Sequence, residues 1–188
     1  MVDLYRASMF SPALILLLIF SSCAQMKSVL SPKASVQELS QARQYVREGE
    51  YQKAIDFYNA EYKRHPQDRK LVKEYVKSLQ EIKTAANRAL GREDFATAGK
   101  TYYVLLKNYP DFKDFAYLLS FDRARLNSRL TDCKTALYNK GFEEYRKGNL
   151  SESIALWQDY LAIDPDNTDI KKALNTAKTQ QKNLRQTK

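Results

Sequence analysis

The chain is poor in the residues from which reactive centres are built. It has one histidine, His65, and two cysteines, Cys23 and Cys133. A lone histidine with no cysteine or carboxylate at ligand spacing does not make a metal site. As a general base it would need a nucleophile and an orienting partner, and the sequence offers neither. Its place before Pro66 suits an exposed helix C-terminus, where partial positive charge is favourable. With only 5 glycines and 5 prolines in 188 residues, there is no glycine-rich phosphate loop, no G-x-S-x-G turn and no pair of carboxylates on one predicted helix face. These absences argue against an enzyme, and no cofactor or metal is expected. Strand-like runs bounded by turn residues are also missing, so the expected class is all-α.

What the chain does have is apolar and aromatic mass. It is 44% hydrophobic with 13 tyrosines and 8 phenylalanines, enough to bury a core. The net charge of +9 favours an anionic partner. The basic residues are nevertheless spread along the chain, as on solvated helix faces.

One pattern recurs three times. Gly141 to Pro165 reads GFEEYRKGNLSESIALWQDYLAIDP, two amphipathic periods joined by a turn at Gly148-Asn149. Fifteen residues separate Leu150 from Pro165, as they do Tyr51 from Pro66 and Phe95 from Pro110. An alanine-x3-aromatic step recurs as Ala54/Tyr58 and Ala98/Tyr102, and with serine as Ser153/Trp157. Small residues stand before each turn at Ala42, Ala86 and Gly141. The pattern resembles the tetratricopeptide repeat, whose signature is L-G-x2-Y, then A-x3-F, then P. That resemblance implies a helical-hairpin solenoid of about three repeats.

The first 22 residues read as an address. Arg6 precedes the apolar run Ala13 to Phe20, too short to span a bilayer but suited to a signal-peptide core, and Ser21-Ser22-Cys23 follows. Small residues leading into a cysteine resemble the lipobox of bacterial lipoproteins, although Phe20 stands where that family prefers leucine. The resemblance implies cleavage before Cys23, lipidation of its thiol and a membrane anchor. Ala24, in place of aspartate, implies the outer membrane of a Gram-negative envelope, facing the periplasm. The other reading of the same run is an ordinary secretory signal with an incidental cysteine. The expected organisation is a leader over 1–22, the lipidated Cys23 with a polar linker to 34, and a helical domain over 35–188. Cys133, in an apolar series with Leu126, Leu130 and Leu137, is expected to be a buried thiol without a partner.

Within the domain, Ser35-Val36-Gln37-Glu38 has capping-box form. Helix one is expected to end near Glu48, helix two at Pro66, and helix four to run from about Asp94 to Tyr109. Forty-four residues separate Tyr51 from Phe95, against about 34 in the family, because the third helix keeps its period from Leu71 to Leu90. Fifty-five separate Phe95 from Leu150. The surplus allows one very long helix after Pro110, or two helices with a break near Asn127 or Thr131-Asp132. Asn149 and Asn167 are the expected caps of the next two helices. The final helix turns polar from Asp169, as a capping element does.

Resemblance to the repeat family places groove-facing side chains on the first helix of each pair. Here these are Arg43 and Arg47, Lys83 and Asn87, and Tyr138, Phe142 and Arg146. Such a mixture suits a peptide carboxylate or an acidic helix. The repeat-position aromatics Tyr58, Tyr102 and Trp157 read as core rather than as a stacking platform, so no nucleic-acid partner is expected. The expected function is a lipid-anchored envelope adaptor for protein partners, as in repeat lipoproteins that serve outer-membrane, pilus, secretion or cell-wall assembly. The alternative is a periplasmic module for a glycan or small ligand, held by the groove aromatics.

Overall fold

The computed structural model describes residues 36–186. The expected leader, Cys23, the linker and the cap Ser35 lie outside those residues. The described chain is all-helical: α1 (Val36–Arg47), α2 (Tyr51–Arg64), α3 (Arg69–Gly91), α4 (Phe95–Lys107), a 3₁₀ segment (Tyr109–Leu118), α5 (Arg123–Arg146), α6 (Leu150–Ile163) and α7 (Thr168–Gln186). Each α-helix packs on the next in sequence, and α1 also meets α3, α2 meets α4 and α4 meets α6. Contacts that step regularly along the chain give a solenoid-like stack. Among the described residues no helix is long and apolar enough to cross a membrane.

The three aromatics at the repeated position all go inside: Tyr58 is 0% exposed, Tyr102 1% and Trp157 1%. Their small partners Ala54, Ala98 and Ser153 are fully buried, as is Ala42 on α1 and Ala86 on α3. The lone cysteine of α5, Cys133, is buried with Leu126, Leu130 and Leu137.

Three helices close in the same way. Glu50 N–H donates to the Tyr45 carbonyl at 2.9 Å, Asp94 N–H to Ala89 at 3.0 Å and Asn149 N–H to Glu144 at 2.9 Å. One residue earlier, Gly49, Glu93 and Gly148 donate to Val46, Leu90 and Tyr145. This paired closure needs a left-handed residue, which glycine adopts without steric cost. Gly49 (φ 78°) and Gly148 (φ 83°) comply, but Glu93 takes φ 58° with a full side chain. Its carboxylate reaches Lys140 Nζ at 3.1 Å, yet the two side chains are 73% and 45% exposed and the pair contributes little. Glu93→Gly is therefore expected to raise stability by about 0.5 kcal/mol, read from the urea midpoint. A loss of stability would show that the Lys140 contact outweighs the backbone cost.

Asp68, Asp94 and Asp122 cap α3, α4 and α5 by accepting backbone N–H bonds. Asn167 does the same for α7, accepting from Ile170 at 3.0 Å. Asn149 does not cap α6 with its side chain, contrary to expectation. Its amide donates instead to Glu144 at 2.6 Å, and that bond, followed by one from Lys147, holds the Glu144 carboxyl below the usual range. His65 is the C-terminal cap residue of α2 but half-buried rather than exposed.

Between α4 and α5 the chain makes neither of the expected arrangements. α4 stops at Lys107, the 3₁₀ segment follows, and α5 starts only at Arg123, running unbroken through Asn127 and Thr131-Asp132. Pro110 stands at the start of the segment, where a helix tolerates it, and the regular helical path is interrupted at the non-helical Phe115 (φ −121°, ψ 16°). Aromatic packing decides the path. Phe112 and Phe115 are buried against Tyr75, with ring centroids 6.3 and 5.2 Å from it, and Phe115 also meets Tyr62 at 5.1 Å. Asn59 in α2 accepts from the Tyr75 hydroxyl and donates to Asp111 at 3.0 Å, tying the segment to α2 and α3.

Burial has an electrostatic consequence. It pushes the Cys133 thiol up to about 11, and it raises the phenols of Tyr58, Tyr75 and Tyr102. All four hold their protons more tightly folded than unfolded, so their contribution is complete below the ordinary values and is lost as pH rises through the folded ones. The urea midpoint is expected to be flat around neutrality and to fall between about pH 9 and pH 11. A flat profile to pH 11 would contradict the burial of these groups.

Candidate functional site

The seven expected groove residues lie on α1, α3 and α5, and the structure brings only some of them together. Arg43 is half-buried and pairs with Glu74 of α3, Nη1 to Oε2 3.1 Å. With side chains 36% and 22% exposed, this contact ties α1 to α3 and leaves Arg43 partly committed to the fold. Arg47, one turn on, is exposed and has no ion-pair partner among the described residues. It borders a hollow of about 450 Å³ with Tyr51 and the α3 residues Lys77, Thr84 and Arg88.

Lys83 and Asn87 face the other side of α3. They line a hollow of about 240 Å³ whose far wall is the first turns of α5, with Arg125 and Arg129. The Tyr102 hydroxyl of α4 donates to Asn87 Oδ1 at 2.7 Å, so Asn87 also fastens α3 to α4. Its amide nitrogen remains as a donor. Burial raises the Tyr102 phenol, partly offset by the nearby Arg129 charge, so the hydroxyl keeps its proton as donor to Asn87.

On α5, Tyr138 is 41% exposed and lies tilted on Phe142 with centroids 4.7 Å apart. Phe142 is half-buried and meets the Trp157 ring at 4.9 Å, so it belongs to the packing of α5 on α6 as much as to a surface. Arg146 is exposed in the last turn, without an ion-pair partner among the described residues. Lys83 with Asn87, and Tyr138 with Phe142, therefore form two local groups. The hollow beside Arg47 and the hollow lined by Lys83 and Asn87 are separate, and neither holds more than two of the seven.

Sequence reasoning missed Arg125, Arg129 and Phe121. The signal was present in Asp122, a capping residue followed by R-A-R-L-N-S-R, which starts a helix and sets Arg125 and Arg129 one turn apart on one face. Among the described residues no group of histidine, cysteine and carboxylates could hold a metal ion. The hollow between α3 and α5 is lined by cationic, amide, phenolic and apolar side chains, suited to non-covalent capture of an anion, whereas the hollow beside Arg47 also holds Glu81. No family model, curated protein or solved structure matches the chain.

Proposed function

We propose that this protein is an exported, lipid-anchored adaptor of the bacterial envelope. In this reading Cys23 carries the anchor and the tetratricopeptide-like helix pairs dock a protein partner on the face of α1, α3 and α5. The observation that carries it is the threefold recurrence of one unit: a buried small-x3-aromatic step joined to the same helix closure at Gly49, Glu93 and Gly148. Stacked copies of such a unit leave one face of their first helices free for a ligand. On that face Arg47 and Arg146 are exposed cations, and Tyr138 adds an exposed ring. An acidic segment of an outer-membrane, pilus, secretion or cell-wall component is the partner that such a face fits.

Charge reversal tests it. Arg47→Glu combined with Arg146→Glu should abolish capture of the partner while leaving the thermal midpoint nearly unchanged, since neither arginine has an ion-pair partner among the described residues. Capture undiminished by the double change would remove this face from the account. A second reading, a module for a glycan or small ligand, is favoured by the exposed Tyr138 lying on Phe142. It requires retention on isolated peptidoglycan that Tyr138→Ala eliminates.

A further inference from the structure

We propose that the hollow between α3 and the start of α5 binds a small organic acid, a carboxylate on an apolar body about the size of one aromatic ring. The inference does not depend on the adaptor reading, because it rests on one hollow between α3 and α5, whereas that reading rests on Arg47, Tyr138 and Arg146, which do not line it.

Its polar lining consists of donors except for the Tyr102 hydroxyl, whose proton is given to Asn87. Lys83 and Asn87 come from α3, and Arg125 and Arg129 from α5, and no acidic side chain lines the space. Asn87 has already spent its carbonyl oxygen on Tyr102, which leaves its NH₂ to donate. Arg129 shares Asp132 at 3.4 Å, with both side chains about half exposed, a weak claim on its charge. Lys83 and Arg125 have no ion-pair partner among the described residues. A wall of cations and amide donors is complementary to an anion, and guanidinium groups match the planar carboxylate.

The floor restricts the anion further. Leu90, Phe121 and Leu126 contribute apolar surface, with Phe121 5% and Leu126 2% exposed overall. A fully hydrated ion gains nothing from such a floor, whereas an acid with an apolar body buries that body against it. The space of about 240 Å³ admits one small molecule rather than a length of peptide. The fold also accounts for its presence. The chain leaves α4 for the 3₁₀ segment packed on α2 and α3, and re-enters at Phe121, so α3 and α5 flank a gap instead of closing on each other.

The probe is phenylacetate, titrated into the full-length isotope-labelled chain, with phenylacetamide and inorganic phosphate as controls. The expected result is saturable shifts of the Lys83, Gly91 and Arg125 amide signals. Affinity for the uncharged amide, and for phosphate without an apolar body, should be lower by about tenfold or more. Lys83→Gln with Arg125→Gln should weaken phenylacetate by a similar factor. Gly91 lies on the lining, and a side chain added there meets open space, so Gly91→Leu should keep the fold and block the hollow even if the double glutamine variant is poorly folded. Absence of saturable shifts, equal binding of phenylacetamide, or unchanged binding by Gly91→Leu would each overturn the proposal. So would tighter binding of a tetrapeptide ending in phenylalanine, which would move recognition out of the hollow and along the helix faces.

Discussion

Trp157→Ala is expected to destabilise the protein by about 3–5 kcal/mol, as large-to-alanine changes in a closed core do. Trp157 is 1% exposed and lies between α5 and α6, its ring 4.9 Å from Phe142 and 5.7 Å from Tyr145. Its indole nitrogen is buried without a hydrogen-bond partner among the described residues, so truncation breaks no polar contact. The whole loss is one of packing and of the cavity left behind. Trp157→Phe separates these effects. It keeps a ring and removes the unsatisfied donor, and its cost should be well below that of alanine. Equilibrium urea unfolding of both variants measures this. A loss under about 1 kcal/mol for alanine would contradict burial of the indole.

Gly141→Ala has the second largest expected effect, and it acts against the same ring. A Cβ added at Gly141 would lie 2.3 Å from Trp157 Nε1 and 2.6 Å from Cδ1, far inside contact distance. A buried indole cannot swing away as a flexible chain end can, so α5 and α6 must separate. Alanine in place of a mid-helix glycine gains about 1 kcal/mol of helix propensity. Overpacking should exceed that gain and leave a net loss of about 2 kcal/mol. The double variant with Trp157→Ala gives the decisive comparison, because removing the ring relieves the clash and makes the two changes cost less than their sum. Strict additivity would mean that the glycine is there for another reason. The register is consistent with this view: Ala42 and Ala86 hold the corresponding places in repeats that carry tyrosine, and glycine goes with the larger tryptophan.

The helix pairs were legible because periodicity and the buried aromatic step act locally and recur. Tyr58, Tyr102 and Trp157 are at most 1% exposed, and Leu126, Leu130, Cys133 and Leu137 share the buried face of α5. The segment after Pro110 was not legible in the same way. Phe112, Phe115, Leu118 and Leu119 keep a nearly helical spacing, and nothing in that spacing reveals Tyr75 forty residues back in the chain. Ring packing on Tyr75 and Tyr62, together with Asn59 holding Asp111, overrides the local period and produces 3₁₀ turns. Glu93 was hidden for the opposite reason, since its left-handed backbone is imposed by the closure it shares with Gly49 and Gly148. At the candidate site, single helix positions could be assigned to a face, but tertiary partners could not. The Arg43 pair with Glu74 and the Tyr102 bond to Asn87 convert two expected ligand contacts partly into ties between helices. Arg125 and Arg129 come beside Lys83 only because the inserted segment delays the start of α5 to Arg123.

The central claim is that a membrane-anchored chain presents this helical face to one protein partner. Crosslinking in intact envelopes, followed by mass spectrometry of what co-purifies with the native protein, tests it most directly. The account predicts one envelope protein at near-stoichiometric yield, crosslinked to α1, α3 or α5, with Cys23 recovered as a lipidated peptide. Recovery of the protein alone, unlipidated and without a specific neighbour, would contradict it.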